Sequence, residues 1–285
     1  RRAMEGVDAL IHVAPVYNLT SRNPEKEVRE PILRGSLNAL QAAKDAGIKK
    51  VIYTSSVAAV GTVAAGEAPL TEKDWNDRAI EPYARAKMEA ERQAWEFARE
   101  AGLNLVTILP GSIIGPGFHR HTPTTVAFEL LLRGKVPVVL PLAFTFVDVR
   151  DVARAHLLAY ENPAASGRYI VSDRSCSMAE LFAMVEEMDP TVRVPRARLS
   201  ERLLPLVPVL DWLGNLLSGT PRFASRAMIR EYGRRLQLVS SDRIRAELGW
   251  KPMDLKASIR DTVEWTRFRF IDTHRERDGA VVSVR

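Results

Sequence analysis

The order of apolar and amphipathic segments predicts an α/β fold with a doubly wound parallel sheet. Short β-branched runs alternate with longer segments of helical periodicity along the first two thirds of the chain. Strands separated by helices are typical of right-handed βαβ crossovers, which set successive strands parallel and cover both faces of the sheet. The composition, 46% hydrophobic and 27% charged over 285 residues, is that of a globular protein with one large or two smaller domains.

The first half of the sheet follows from local signals. An apolar run predicts a strand over 9–14, and apolar residues at helical spacing predict a helix over 31–46 that ends at Gly47. The run at 50–54 predicts the next strand.

The second half continues the alternation. A helix is predicted over 82–101, because Pro82 suits a first helical position and Gly102 suits the end. Further strands are predicted over 104–109 and 168–171. Shorter helices are expected at 125–133, 148–161 and 177–188, with two more between residues 200 and 235.

Tyr83 and Lys87 form the first chemical signal. Four residues apart on the predicted helix, they lie on one face, one turn from each other. A phenol titrates near pH 10, and a neighbouring cation stabilises the phenolate and lowers that pKa. The pair is therefore suited to proton transfer. An exposed tyrosine beside a solvated lysine is the alternative interpretation.

Two serines end the strand that precedes this helix. Ser55 and Ser56 lie at the carboxyl edge of the predicted sheet, where ligands bind in such folds. A serine there can donate a hydrogen bond to a substrate carbonyl while a tyrosine transfers the proton. Alternatively, these hydroxyls satisfy amides of a turn or a helix start.

These residues belong to an ordered series of motifs that resembles the extended short-chain dehydrogenase/reductase family, also called the NAD-dependent epimerase/dehydratase superfamily. The nearest similarity is to its dihydroflavonol-reductase-like, carbonyl-reducing branch. The motifs are Ile11-His12-Val13-Ala14, Thr54-Ser55-Ser56, Pro82-Tyr83 with Lys87, Pro110-Gly111-Ser112-Ile113-Ile114-Gly115-Pro116, and the segment 146–156.

The resemblance implies a Rossmann-like fold and an NAD(P)-dependent oxidoreductase that reduces an aldehyde or ketone. It implies NADP, with NAD less favoured, and a small carbonyl or alcohol substrate. By this resemblance Ser56, Tyr83 and Lys87 form the catalytic triad, with Tyr83 as proton donor. The cofactor would be bound by the set Val13, Ala14, Pro15, Tyr83, Lys87, Pro110, Gly111, Ser112 and Ile113.

The same resemblance divides the chain. Residues 1–115 would be the remainder of a dinucleotide-binding domain, and 116–145 with 174–270 a smaller, mostly helical substrate lobe. Residues 146–173 would return to the sheet, and 271–285 would form a tail.

One departure from the family pattern concerns the phosphate-binding turn. The family opens with a glycine-rich loop that lets the backbone approach the pyrophosphate. No glycines here have that spacing after a first strand, and the chain opens Arg1-Arg2-Ala3-Met4. We therefore expect a fragment that lacks the first strands and the residues that select NAD or NADP.

Other functional classes have weaker signals. His119 and His121 have no third ligand nearby in sequence, so we expect no metal site. Arginines recur at every fourth residue from Arg222 to Arg234, and they form either an anion-binding stripe or a solvated helix face. The net charge of +6 gives little support to nucleic-acid binding. The lone Cys176 and the lack of a signal peptide fit a cytoplasmic protein, and a homodimer stays open.

One apolar segment stands apart. The stretch 203–217 is interrupted by Pro205, Pro208, Asp211 and Asn215, so no membrane span is predicted. Packing within the lobe, a lid over an apolar substrate and a helix at a membrane interface are the alternatives.

Two rival functions also stay open. One is a sugar-nucleotide or isoprenoid-linked epimerase/dehydratase that uses the same side chains on a retained NAD. The other is a non-catalytic, dinucleotide-sensing scaffold.

Overall fold

The computed structural model describes residues 2–13, 21, 23–219 and 224–272. Its strands are β1 (Ala9–His12), β2 (Lys50–Thr54), β3 (Asn104–Pro110), β4 (Ser112–Ile114), β5 (Ala143–Asp148), β6 (Gly167–Val171) and β7 (Arg174–Ser177). Its α-helices are α1 (Glu30–Asp45), α2 (Pro82–Ala101), α3 (Pro123–Leu132), α4 (Val149–Glu161), α5 (Met178–Met188), α6 (Val207–Ser218), α7 (Arg226–Tyr232), α8 (Asp242–Leu248) and α9 (Leu255–Thr266). Shorter helical turns lie at Arg2–Met4, Glu25–Arg29, Val57–Ala59, Glu201–Leu206 and Arg267–Asp272.

The main sheet has the order β1-β2-β3-β6, with every pair parallel. This arrangement confirms the predicted α/β class. The predicted bounds of β2 and α2 agree with the structure, and β3 and β6 each extend one residue beyond their predictions. The first strand ends at His12, two residues before the predicted end.

Helices cover both faces of this sheet, because successive side chains of each strand point to opposite sides. On β2, Val51 and Tyr53 pack with α1 and α2, whereas Ile52 packs with α4 and α8. On the second face, Val106 and Ile108 of β3 join the same core as Ile52. The sheet therefore holds α2, which carries Tyr83 and Lys87, against one face and α4 against the other.

A second sheet was not predicted. It has the order β4-β5-β7, with β4 parallel and β7 antiparallel to β5. The strand β4 has three residues and β7 reads RSCS, so neither carries an apolar alternation that sequence periodicity would detect. Helices α8 and α9 were also not predicted.

The sheet β4-β5-β7 and helices α3, α5 and α9 surround a second core, which includes Phe128, Phe146, Phe182 and Ile259. A smaller apolar cluster joins α7 to the first turn of α6 through Val207, Met228 and Ile229. Within the described residues, no helix combines the length and apolar character needed to cross a bilayer.

Candidate active site

The site lies where β2 ends and α2 begins. Ser56 follows β2 directly and caps the short helical turn Val57–Ala59, with its Oγ accepting a hydrogen bond from the Ala58 amide at 3.1 Å. The capping role that the sequence left open is therefore present. Since an accepting hydroxyl keeps its own proton, Ser56 can still donate a hydrogen bond.

Lys87 points from α2 into the end of β2. Its side chain is 2% exposed, and its Nζ donates to the Thr54 carbonyl at 2.8 Å, two residues before Ser56. Burial lowers the pKa of this ammonium to about 8, partly offset by the nearby Glu91. An ammonium has three donor hydrogens, so Lys87 can hold further oxygen atoms at the same edge of the sheet.

Tyr83 is the second residue of α2, one turn before Lys87. It is half-buried, and its ring packs beside the cluster of Val28, Ile32 and Ala86, which joins α2 to α1 and the preceding turn. The alternative of an exposed tyrosine beside a solvated lysine is wrong for both residues, because Tyr83 is half-buried and Lys87 is fully buried.

A buried ion pair that the sequence analysis missed lies one turn beyond Lys87. The Glu91 carboxylate is fully buried and pairs with Arg168 of β6, whose Nε donates to Oε1 at 2.9 Å. It also accepts from Ser55 Oγ at 2.7 Å and from Thr107 Oγ1 at 2.9 Å. Glu91 therefore ties α2 to the residue that follows β2 and to the strands β3 and β6.

Arg168 is held from its other side as well. Its guanidinium donates to the Glu72 and Asp74 carbonyls at 2.7 and 2.6 Å, and it lies 3.8 Å from the Trp75 ring centroid. Tyr83, Lys87 and Glu91 are spaced i, i+4 and i+8, which sets them on one face of α2. This spacing could have indicated that Glu91 faces the sheet.

Thr54 is fixed from the opposite face of the sheet. His156 of α4 bonds through Nδ1 to the Val152 carbonyl and through Nε2 to Thr54 Oγ1, both at 2.7 Å. Burial lowers the pKa of His156 and favours the neutral ring. Because a carbonyl can only accept, Nδ1 carries the proton and Thr54 donates to Nε2. The residue that accepts from Lys87 is thus also anchored to α4.

The start of α2 is held by α7, from the C-terminal third of the chain. Oε2 of the buried Glu231, on α7, accepts from the amides of Ile80 and Glu81 at 2.6 and 3.2 Å. Its Oε1 accepts from Asn76 Nδ2 at 2.8 Å, and the same Nδ2 donates to the Ala58 carbonyl at 2.9 Å. Glu81 in turn caps α2 by accepting from the Ala84 amide at 2.8 Å. These contacts link α7 to the backbone just after Ser56 and just before Tyr83.

The segment predicted to bind a cofactor after β3 also lies at this edge. Pro110 ends β3, the Gly111 amide donates to the Val171 carbonyl at 3.1 Å, and β4 begins at Ser112. A Cβ added at Gly111 would lie 2.8 Å from the Thr145 carbonyl oxygen, so β5 approaches this turn closely.

The segment predicted to bind a cofactor after β1 is only partly described. Val13 follows β1 and is exposed, whereas Ala14 and Pro15 lie outside the described residues. In the part of the chain that the structure describes, no glycine-rich turn with phosphate-loop spacing is found, and no cluster of His, Cys, Asp or Glu could hold a metal ion.

Sequence comparison finds proteins named as reductases among those similar to this chain. A cinnamoyl-CoA reductase of Medicago truncatula is 32% identical over 215 residues, which cover 72% of this chain and 65% of that protein. A bifunctional dihydroflavonol 4-reductase/flavanone 4-reductase of Malus domestica is 30% identical, over 68% of this chain and 59% of that protein. The chain thus spans about three fifths to two thirds of the length of these curated relatives.

Solved structures share the fold. The structure of gox2253 superposes with a TM-score of 0.80 at 29% identity, covering 95% of this chain and 81% of that chain. Gre2 from Candida albicans in complex with NADPH gives a TM-score of 0.70 at 25% identity, with 92% and 78% covered. The sequence profile of the NAD dependent epimerase/dehydratase family matches residues 1–171, which is more than half of the chain. The chain belongs to this family, and the resemblance inferred from its motifs is confirmed.

Proposed function

We propose that the protein is an NADP-dependent carbonyl reductase in which Tyr83 gives a proton to the substrate oxygen. The observation that carries this proposal is the buried Lys87 ammonium, one turn from Tyr83 and 2.8 Å from the Thr54 carbonyl at the end of β2. The curated relatives are reductases by name, and this supports reduction over other chemistry of the same family.

Each residue has a distinct part in the proposed reaction. Ser56 Oγ donates a hydrogen bond to the carbonyl oxygen, so that developing negative charge on that oxygen is stabilised. Tyr83 then transfers its phenolic proton to this oxygen. Lys87 stabilises the phenolate that remains, because a cation nearby lowers the pKa of a phenol. When bound, the nicotinamide cofactor supplies the hydride.

The donor set fits the nicotinamide half of a dinucleotide. Lys87 has ammonium hydrogens beyond the one given to Thr54, and these would hold the hydroxyls of the ribose. The turn from Pro110 to Ile113, together with Val13, Ala14 and Pro15, would line the remaining part of this half of the cofactor. NADP is favoured by the likeness to Gre2 in complex with NADPH.

The division of the chain fits the same proposal. Residues 1–115 and 146–173 would bind the cofactor, and 116–145 and 174–270 would form the substrate lobe. The Glu231 contacts to Asn76, Ile80 and Glu81 would then fix the lobe against the start of α2.

The test is the change of Tyr83 to phenylalanine. Because the phenol's proton is the one transferred, Tyr83→Phe should lower kcat for NADPH-dependent reduction of an aldehyde panel by about 100-fold or more. Tyr160→Phe is the matched control, since Tyr160 is 42% exposed on α4, outside the proposed site, and should leave kcat unchanged. Activity of Tyr83→Phe within about threefold of the parent would remove Tyr83 from its proposed role.

A further inference from the structure

The helix α6 exposes its apolar face to solvent. Its large apolar side chains at i, i+1, i+3, i+4, i+7 and i+8 form one continuous face, and all are exposed: Val209, Leu210, Trp212, Leu213, Leu216 and Leu217. Leu217 is 84% exposed and Leu216 is 65% exposed. The positions between them, Asp211, Gly214 and Asn215, are half-buried. An amphipathic helix of a globular domain normally buries its apolar face and exposes its polar one.

The apolar face extends beyond α6. Leu203 and Leu206 in the preceding turn Glu201–Leu206 are also exposed, at 45% and 53%. The first turn of α6 is anchored through the buried Val207 and Pro208. Contiguous exposed apolar surface of this kind marks a site of interaction.

The segment of the chain that contains this face is strongly basic. Between Arg193 and Arg235 there are nine arginines and three acidic residues, a net charge of +6 that equals the net charge of the whole chain. The remainder of the chain is therefore neutral, and all of the excess positive charge belongs to this segment.

One described arginine lies directly beside the apolar face, since Arg226 lines a cleft with Val209 and Trp212. Arg230, further along α7, is exposed, and so is Arg234, which follows α7 and pairs with Glu201 of the preceding turn at 3.9 Å. Of the arginine stripe predicted from the sequence, Arg222 lies outside the described residues.

We propose that the α6 face, defined by the six exposed apolar residues of α6, docks onto an anionic lipid bilayer. Apolar side chains of a helix lying in the interface insert at the boundary of headgroups and acyl chains, while arginines beside them contact anionic headgroups. A second copy of the chain fits less well. A symmetric pairing of this face would bring the arginines of both copies together, and like charges would oppose it.

The experiment is flotation of the 285-residue chain with phosphatidylcholine vesicles, with and without phosphatidylglycerol. We expect the chain to float with the anionic vesicles and to bind the neutral ones much more weakly, by on the order of tenfold or more. Leu216→Gln with Leu217→Gln should weaken binding to anionic vesicles more than tenfold, because two inserted leucines are lost.

Controls separate this surface from others. Leu157→Gln, at a leucine 45% exposed on α4, should bind like the parent. Arg226→Gln with Arg230→Gln should weaken binding to anionic vesicles only, and circular dichroism should show that every variant is folded. This second pair keeps the proposal testable if the leucine variant does not fold.

Three results would overturn the proposal. The first is binding that the leucine pair does not change, which would assign it to another surface. The second is equal binding to neutral and anionic vesicles. The third is no flotation together with a dimer, seen by sedimentation velocity, that the leucine pair dissociates, which would make a second copy the partner of this face.

Discussion

The buried ammonium of Lys87 has a measurable consequence for stability. Burial lowers its pKa from the ordinary value of 10.5 to about 8 in the folded chain. Between these two pH values the unfolded chain keeps the Lys87 proton while the folded chain has lost it. Raising the pH through this window therefore favours folding, and lowering it towards pH 8 disfavours folding.

The size of the effect follows from the two pKa values. Their separation corresponds to about 3 kcal/mol, and Lys87 is fully buried, so solvent screening does not reduce it. Lys87→Met removes the titration. The free energy of unfolding of the parent minus that of the variant should rise by about 3 kcal/mol between about pH 8 and 10.5, and should stay constant below pH 8.

Urea denaturation across this pH range measures the difference. Groups away from Lys87 titrate alike in both chains, so their contributions cancel in the comparison. Lys135→Met, which replaces an exposed lysine by the same residue, is the matched control. If the free-energy difference between the parent and Lys87→Met changes by less than about 0.5 kcal/mol over this pH range, the lowered pKa of the buried Lys87 is refuted.

Three further outcomes are expected. Glu91→Gln should lower the free energy of unfolding by about 3–5 kcal/mol, because it leaves the buried Arg168 without its carboxylate. The control Glu89→Gln, which breaks two surface ion pairs, should lower it by about 1 kcal/mol or less. Equal losses for the two variants in chemical denaturation would contradict the buried ion pair. Gly111→Ala should lower the free energy of unfolding by about 1–3 kcal/mol, because the new Cβ would contact the Thr145 carbonyl. Gly35→Ala, in open space within α1, should instead raise it by about 0.5–1 kcal/mol. Thermal melts in which both variants shift in the same direction would be inconsistent with this packing. Lys87→Met should also move the alkaline limb of the oxidative pH–rate profile upward, whereas a fixed midpoint would mean that the lysine does not tune the phenol.

The sequence predicted best those elements whose ends are marked by residues with distinct backbone properties. Pro82 begins α2 because it has no amide hydrogen that would go unpaired there. Gly102 ends it because glycine readily takes the left-handed conformation, with φ of 63°. Both signals act within a few residues, so they can be recognised without the rest of the fold. The order of motifs predicts that Ser56, Tyr83 and Lys87 lie together at the edge of the sheet, where Lys87 contacts Thr54; their catalytic roles stay a prediction.

The contacts that hold this edge together were not predictable in the same way. Glu91 and Arg168 are 77 residues apart, and Glu231 lies about 150 residues from the amides that it accepts from. Such pairs depend on tertiary packing, and no local spacing announces the partner. The strand Arg174–Ser177 was missed for a related reason, since its pairing with β5 compensates for a sequence of low strand propensity.

The most direct test of the proposed chemistry uses reduced cofactor in which both hydrogens at C4 of the nicotinamide are deuterium. A carbonyl reductase should transfer deuterium to the carbon of the product alcohol and consume one cofactor for each product, and Tyr83→Phe should slow this transfer about 100-fold or more. Mass spectrometry of the alcohol measures it. Turnover of a substrate with no net consumption of cofactor and no deuterium in the product would contradict the account, and would instead indicate an epimerase or dehydratase that regenerates its own cofactor.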